Sequence, residues 1–200
     1  MKLTVPNQLT ILRILLIPFF LYFFTQQDVL AKLIGTILYF IAAATDWYDG
    51  FIARRLNVVT RWGQFMDPLA DKLLISSALI AFAWIKFLQW WMVIAIISRD
   101  LIITSLRLFA LQMGKSIVTS MTAKWKTFLQ MTAIFIFLIY LNVPGISIYR
   151  MHTLPPPYSS WTTLMFFIVT IFTIYTGIQY LVENRMHVIE IIRRIFKLFG

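Results

Sequence analysis

The sequence predicts an all-α, polytopic membrane protein with six transmembrane helices and an active-site cavity on the cytoplasmic side. Three observations point there. The 200 residues are 60% hydrophobic and only 13% charged, about half the charged share of an ordinary soluble domain. Several apolar runs approach the roughly 20 residues that cross a bilayer. Lysine and arginine also fall mainly into alternate connections between those runs, the pattern that sets membrane orientation.

The predicted spans are 9–24, 29–45, 69–87, 90–110, 127–141 and 161–181. The first follows Pro6-Asn7, and its Arg13 predicts a tilted helix with early turns in the interface. Lys2 before an apolar stretch invites comparison with a signal peptide. Arg13 and Pro18 interrupt that stretch, however, and residues 25–28 lack a small-x-small cleavage pattern, so a retained helix is expected. Pro68 suits the first turn of the third helix. Residues 142–160, with Pro155-Pro156-Pro157, are the turn-rich loop.

One side of the membrane receives Lys2, Arg54, Arg55, Arg61, Lys115, Lys124, Lys126, Arg185, Arg193, Arg194 and Lys197, the other only Lys32, Lys86 and Arg150. Both termini are therefore expected in the cytoplasm. Residues 183–200 alternate apolar and basic positions, either an amphipathic helix on the anionic leaflet or a basic stop after the last span. The whole chain, 1–200, reads as a single membrane domain. Its net charge of +10 lies beside apolar spans, where anionic lipid head groups are the nearer partner, so no nucleic acid is expected. Without cysteine, disulfides and thiolate metal sites are excluded. His152 and His187, the only histidines, are too far apart in sequence to suggest a catalytic pair.

The chemistry concentrates between the second and third spans. Four of the eight acidic residues are Asp46, Asp49, Asp67 and Asp71. Each pair is spaced three or four apart and shares a helix face, so two adjacent antiparallel helices would aim four carboxylates at one point. Unneutralised, they would repel and take up protons; hard divalent cations remove that problem and keep positions open for phosphate. Gly50 and Gly63 leave room for a ligand, Ala53 keeps the same face small, and Arg54 offers a planar fork for phosphate. The plainer alternative, aspartates paired with Arg54, Arg55 and Arg61 in a solvated loop, explains one aspartate better than four.

The stretch Asp46-Trp-Tyr-Asp49-Gly50-Phe-Ile-Ala53-Arg54, then eight residues, then Gly63-Gln-Phe-Met-Asp67-Pro-Leu-Ala-Asp71 resembles the signature of the CDP-alcohol phosphotransferase family at every defining position. The resemblance implies transfer of a phosphatidyl group from a CDP-linked lipid to an alcohol, with release of CMP. It implies two divalent ions, Mg²⁺ foremost and Mn²⁺ as the alternative, held by Asp46, Asp49, Asp67 and Asp71. Asp71 would also be the catalytic base, a role that overlaps its role as ligand. Asp46, Asp49, Gly50, Ala53, Arg54, Gly63 and Asp67 would form the CDP site, and a homodimer is expected.

A second constellation concerns the acceptor. Arg99 and Arg107 are eight residues apart on the fourth span, about 80° around a helix, and Lys124 and Lys126 open the fifth. Together they suit a phosphate-binding pocket, with Asp100 either orienting Arg99 or neutralising it. Lys124 reads equally as an interfacial anchor. Residues Pro6-Asn7-Gln-Leu-Thr10-Ile-Leu-Arg13, Ser98-Arg99-Asp100 through Arg107, and Lys124-Trp-Lys126-Thr127 with Gln130 resemble the phosphatidylglycerophosphate synthase branch. Asp100 stands where that branch often has Glu, and Ala123 where it often has Gly. The branch implies CDP-diacylglycerol and glycerol 3-phosphate as substrates, with Arg99, Arg107 and Lys126 on the acceptor phosphate and Asn7, Thr10, Arg13 and Lys124 as weaker candidates. Inositol phosphate or another alcohol is the rival acceptor, and the bacterial cytoplasmic membrane is the expected location. A divalent-cation transporter is the rival from another class; the absence of an internal repeat and the site's place beside an arginine-rich loop count against it.

Overall fold

A computed structural model describes residues 5–56, 61–112, 121–142, 161–185 and 188, without the side chains of 5–6, 46–47, 49–56, 61–62, 64–65 and 111–112. Among these residues the regular secondary structure is all helical, in six long segments joined at 25–28 and 85–89 by turns: α1 (Val5–Phe24), α2 (Val29–Leu56), α3 (Arg61–Trp84), α4 (Trp90–Gln112), α5 (Met121–Asn142) and α6 (Trp161–Glu183).

Each predicted span lies within a helix or nearly so, but three helices start or end well outside the apolar run. The second was expected to stop at 45 and continues to Leu56, carrying Asp46, Asp49 and Arg54 on helical backbone. The third begins at Arg61 rather than 69 and the fifth at Met121 rather than 127. These extra turns are polar, so they carry little hydropathy. Pro68 consequently sits inside α3, not in its first turn. The missing N–H leaves the carbonyl of residue 64 without its intrahelical donor.

By length and composition, residues of α1 (Asn7–Phe24), α5 (Met121–Asn142) and α6 (Trp161–Glu183) suffice to cross a membrane, and Val29–Thr45 of α2 forms a shorter apolar stretch. The distribution of residues suits lipid rather than water. Leu15, Phe19, Ile94, Phe128, Ile139, Ile168 and Ile178 point outward, whereas Thr10, Arg13, Asp100, Lys126, Gln130, Thr170 and Thr173 are buried. Trp90, Trp91 and Trp161 are exposed at helix starts, as interfacial belt residues should be.

The apolar core is aromatic. Phe20, Phe24, Tyr39, Phe82, Phe137 and Phe166 are buried together, with Phe82 edge-on to Phe137 at a centroid distance of 4.5 Å. α1 packs along α2 and α3; α4 and α5 both pack on α6, and α3 also meets α4. The α1–α2 contact is close at Gly35, where a Cβ would lie 2.8 Å from the Phe24 backbone nitrogen. Asp28 caps α2 by accepting from the Ala31 N–H at 2.9 Å. α3 ends with Lys86 left-handed at φ 62°. The Phe87 N–H then reaches the Phe82 carbonyl and the Lys86 N–H the Ala83 carbonyl, closing a Schellman cap.

Candidate functional site

On α1, Asn7, Thr10 and Arg13 recur every three residues and are 7%, 0% and 0% exposed, so one face of the helix enters the bundle. Arg13, expected on early turns lying in the interface, is thus enclosed by the bundle. Thr10 Oγ1 donates to Asp67 Oδ1 at 2.7 Å. That bond fixes the carboxylate from across the α1–α3 contact and leaves Oδ2 for another partner.

Asp67 and Asp71 are half-buried, one turn apart on α3, and face the same way. Asp46 and Asp49 occupy α2 at a spacing of three, and Gly50, Ala53 and Arg54 follow on the same helix; their side chains lie outside the described residues. Gly63 is buried in the first turn of α3. Among the described residues no group of three metal-ligating side chains is complete. Asp67 and Asp71 nevertheless fit a hard divalent cation: both offer carboxylate oxygens, both reach solvent, and one is already oriented by a hydroxyl.

The basic residues converge more completely than their spacing implied. Asp100, with its side chain 3% exposed, pairs with Lys126 Nζ and with Arg99 Nη1 at 3.1 Å. Its other oxygen lies 3.9 Å from Lys72 Nζ, which is 3.6 Å from Asp71 Oδ2. Three helices thus meet at one buried carboxylate. Arg99 Nη2 donates to Thr176 Oγ1 of α6 at 3.1 Å, and a Cβ on Gly177 would lie 3.0 Å from Arg99 Cγ. Arg99 Nε is buried without a hydrogen-bond partner among the described residues.

Lys124 and Lys126 part company: Lys126 is buried and Lys124 exposed, because two residues turn a helix by about 200°. Lys124 therefore does not join the cluster around Asp100. Arg107 lies two turns along α4 from Arg99, beside Tyr180 of α6, and its Nε is buried without a partner among the described residues. Lys72 was missed by sequence reasoning. The signal was available, since a lysine inside the predicted span 69–87 is itself unusual.

A helical bundle with lipid-facing apolar surfaces, an aspartate-bearing helix pair and a buried basic cluster defines a membrane enzyme of phosphate chemistry. The family model for CDP-alcohol phosphatidyltransferase matches residues 3–175, and the chain belongs to that family. Among curated relatives, a Bacillus subtilis (strain 168) protein named CDP-diacylglycerol–glycerol-3-phosphate 3-phosphatidyltransferase is 37% identical over 191 residues, covering 90% of this chain and 94% of the relative. A Salmonella paratyphi A protein of the same name is 34% identical over 92% of this chain and 97% of its own length. One from Yersinia pestis (strain Pestoides F), also so named, is 42% identical over 66% of this chain and 74% of its own length.

Proposed function

We propose that the chain transfers the phosphatidyl group of CDP-diacylglycerol to sn-glycerol 3-phosphate, giving phosphatidylglycerophosphate and CMP. The observation that carries the reading is the fan of Lys72, Arg99 and Lys126 around buried Asp100, beside Asp71. Three cations against the two carboxylates they touch leave one positive charge, and Arg107, two turns along α4, brings a second. A phosphate monoester carries about −1.5 to −2 at pH 7 and complements them, whereas an unphosphorylated alcohol would leave buried charge unanswered. The names of the relatives support the same substrates.

In this reading Asp46, Asp49, Asp67 and Asp71 hold two divalent ions, Mg²⁺ foremost and Mn²⁺ as the alternative. Bound there, such ions would neutralise the diphosphate and the departing CMP. Gly50, Ala53, Arg54 and Gly63 shape the CDP site, with Asp46, Asp49 and Asp67 at its edge. Thr10 keeps Asp67 oriented. Arg99, Arg107 and Lys126 seat the acceptor phosphate. Asp71 accepts the proton of the acceptor hydroxyl as its oxygen bonds to the phosphorus bearing diacylglycerol, and the bond from that phosphorus to CMP breaks. The cavity opens to the cytoplasm, where both termini lie, in the bacterial cytoplasmic membrane, and the working unit is a homodimer.

The test is CMP release by purified protein in detergent with Mg²⁺ and CDP-diacylglycerol, offered glycerol 3-phosphate, inositol phosphate or serine. Release that requires glycerol 3-phosphate and falls at least 10³-fold in Asp71→Asn, an estimate for a lost base that also binds metal, supports the reading. Release only with another acceptor overturns the choice of substrate.

A further inference from the structure

We infer that Asp100 is the positioning residue of the acceptor pocket, holding Arg99, Lys126 and Lys72 in one fixed fan; this rests on the function proposed above. Its carboxylate divides its work between its two oxygens. Oδ1 serves both Lys126 and Arg99 Nη1, while Oδ2 faces Lys72. Without that carboxylate the three cations repel at close range in a low-dielectric interior, and Lys126, 1% exposed, has no route to water without swinging out of the pocket.

Arg99 is the best constrained of the three. Asp100 holds Nη1, Thr176 holds Nη2, and Gly177 lets the stem pass close to α6. Its Nε remains buried without an acceptor among the described residues. A buried guanidinium donor left unfilled is destabilising unless something occupies it, and a phosphate oxygen is the natural occupant. Asp100 thus does not compete for that edge of Arg99; it presents it.

Lys72 gives the arrangement its reach. Its ammonium lies between Asp71 and Asp100, 3.6 and 3.9 Å from their nearest oxygens. The acceptor carries its phosphate and its attacking hydroxyl on one short carbon chain. A cation touching both carboxylates sets the distance at which a phosphate held by the fan delivers that hydroxyl to Asp71.

Steady-state kinetics on the full chain in detergent test this, with CDP-diacylglycerol and glycerol 3-phosphate varied separately. Asp100→Asn is expected to raise the KM for glycerol 3-phosphate at least tenfold while changing the KM for CDP-diacylglycerol less than twofold. Asp100→Glu is expected to recover most of that loss. Lys72→Met, which removes a partly solvated side chain and keeps the fold if Asp100→Asn does not, is expected to raise the same KM. A change in both KM values together in Asp100→Asn, or an unchanged acceptor KM in Lys72→Met, overturns the inference. Wild-type release that does not depend on glycerol 3-phosphate would instead remove the function on which it rests.

Discussion

At Gln130 the side-chain nitrogen and oxygen are both buried without a hydrogen-bond partner among the described residues, and the residue is 1% exposed. An unpaired buried amide is destabilising by about 1–3 kcal/mol, so Gln130→Leu is expected to raise thermal stability in detergent, by about 1 kcal/mol once imperfect packing is discounted. A lowered melting temperature would show that the amide is satisfied in solution. Arg99 behaves oppositely, because its charge has partners on two helices. Arg99→Met leaves Asp100 with one fewer cation and is expected to raise the acceptor KM by about tenfold or more, the scale of a lost charged hydrogen bond. Acceptor titration of CMP release measures it.

Among the elements, helix ends show where sequence reasoning stopped short. The apolar centres of all six helices were legible because each needs nearly 20 residues of hydrocarbon-compatible side chains. The ends were not, because Asp46–Arg54, Arg61–Asp67 and Met121–Lys126 carry polar and charged side chains, and so little hydropathy, while remaining helical. The pairing of the aspartates along helices was legible from spacing, and the signature around them as a family resemblance. Its link to α1 through Thr10 was not, since a hydroxyl 57 residues away leaves no local trace. Two substitutions probe these elements. Gly35→Ala forces a Cβ to within 2.8 Å of the Phe24 backbone, and the displaced α1–α2 contact is expected to cost about 1–3 kcal/mol, read as a lower denaturation temperature. Lys86→Gly relieves a left-handed lysine in the α3 cap and is expected to stabilise by about 0.5–1 kcal/mol after the extra freedom of unfolded glycine is subtracted.

Among the described residues, many large apolar side chains face outward while Arg13, Asp100 and Lys126 are buried. The fold class was legible because composition alone forbids a watery exterior for this much apolar surface. The meeting of α3, α4 and α5 at Asp100 was not, because a lone aspartate beside an arginine reads as simple neutralisation until three helices are seen to share it. Chelation tests the molecule as a unit. Excess EDTA is expected to abolish CMP release, and Mg²⁺ in excess of the chelator to restore it, without a change in helical circular dichroism. Helicity lost along with activity would make the ions structural.

The grip of α6 on Arg99 has a practical consequence. Thr176 and Gly177 touch Arg99 yet stand on a different helix from the aspartates of α2 and α3. In the function proposed above, the part of the scaffold that steadies the acceptor-facing arginine is thus separable from the helices that carry the nucleotide-site aspartates. An engineer wishing to redirect the enzyme would begin a library there.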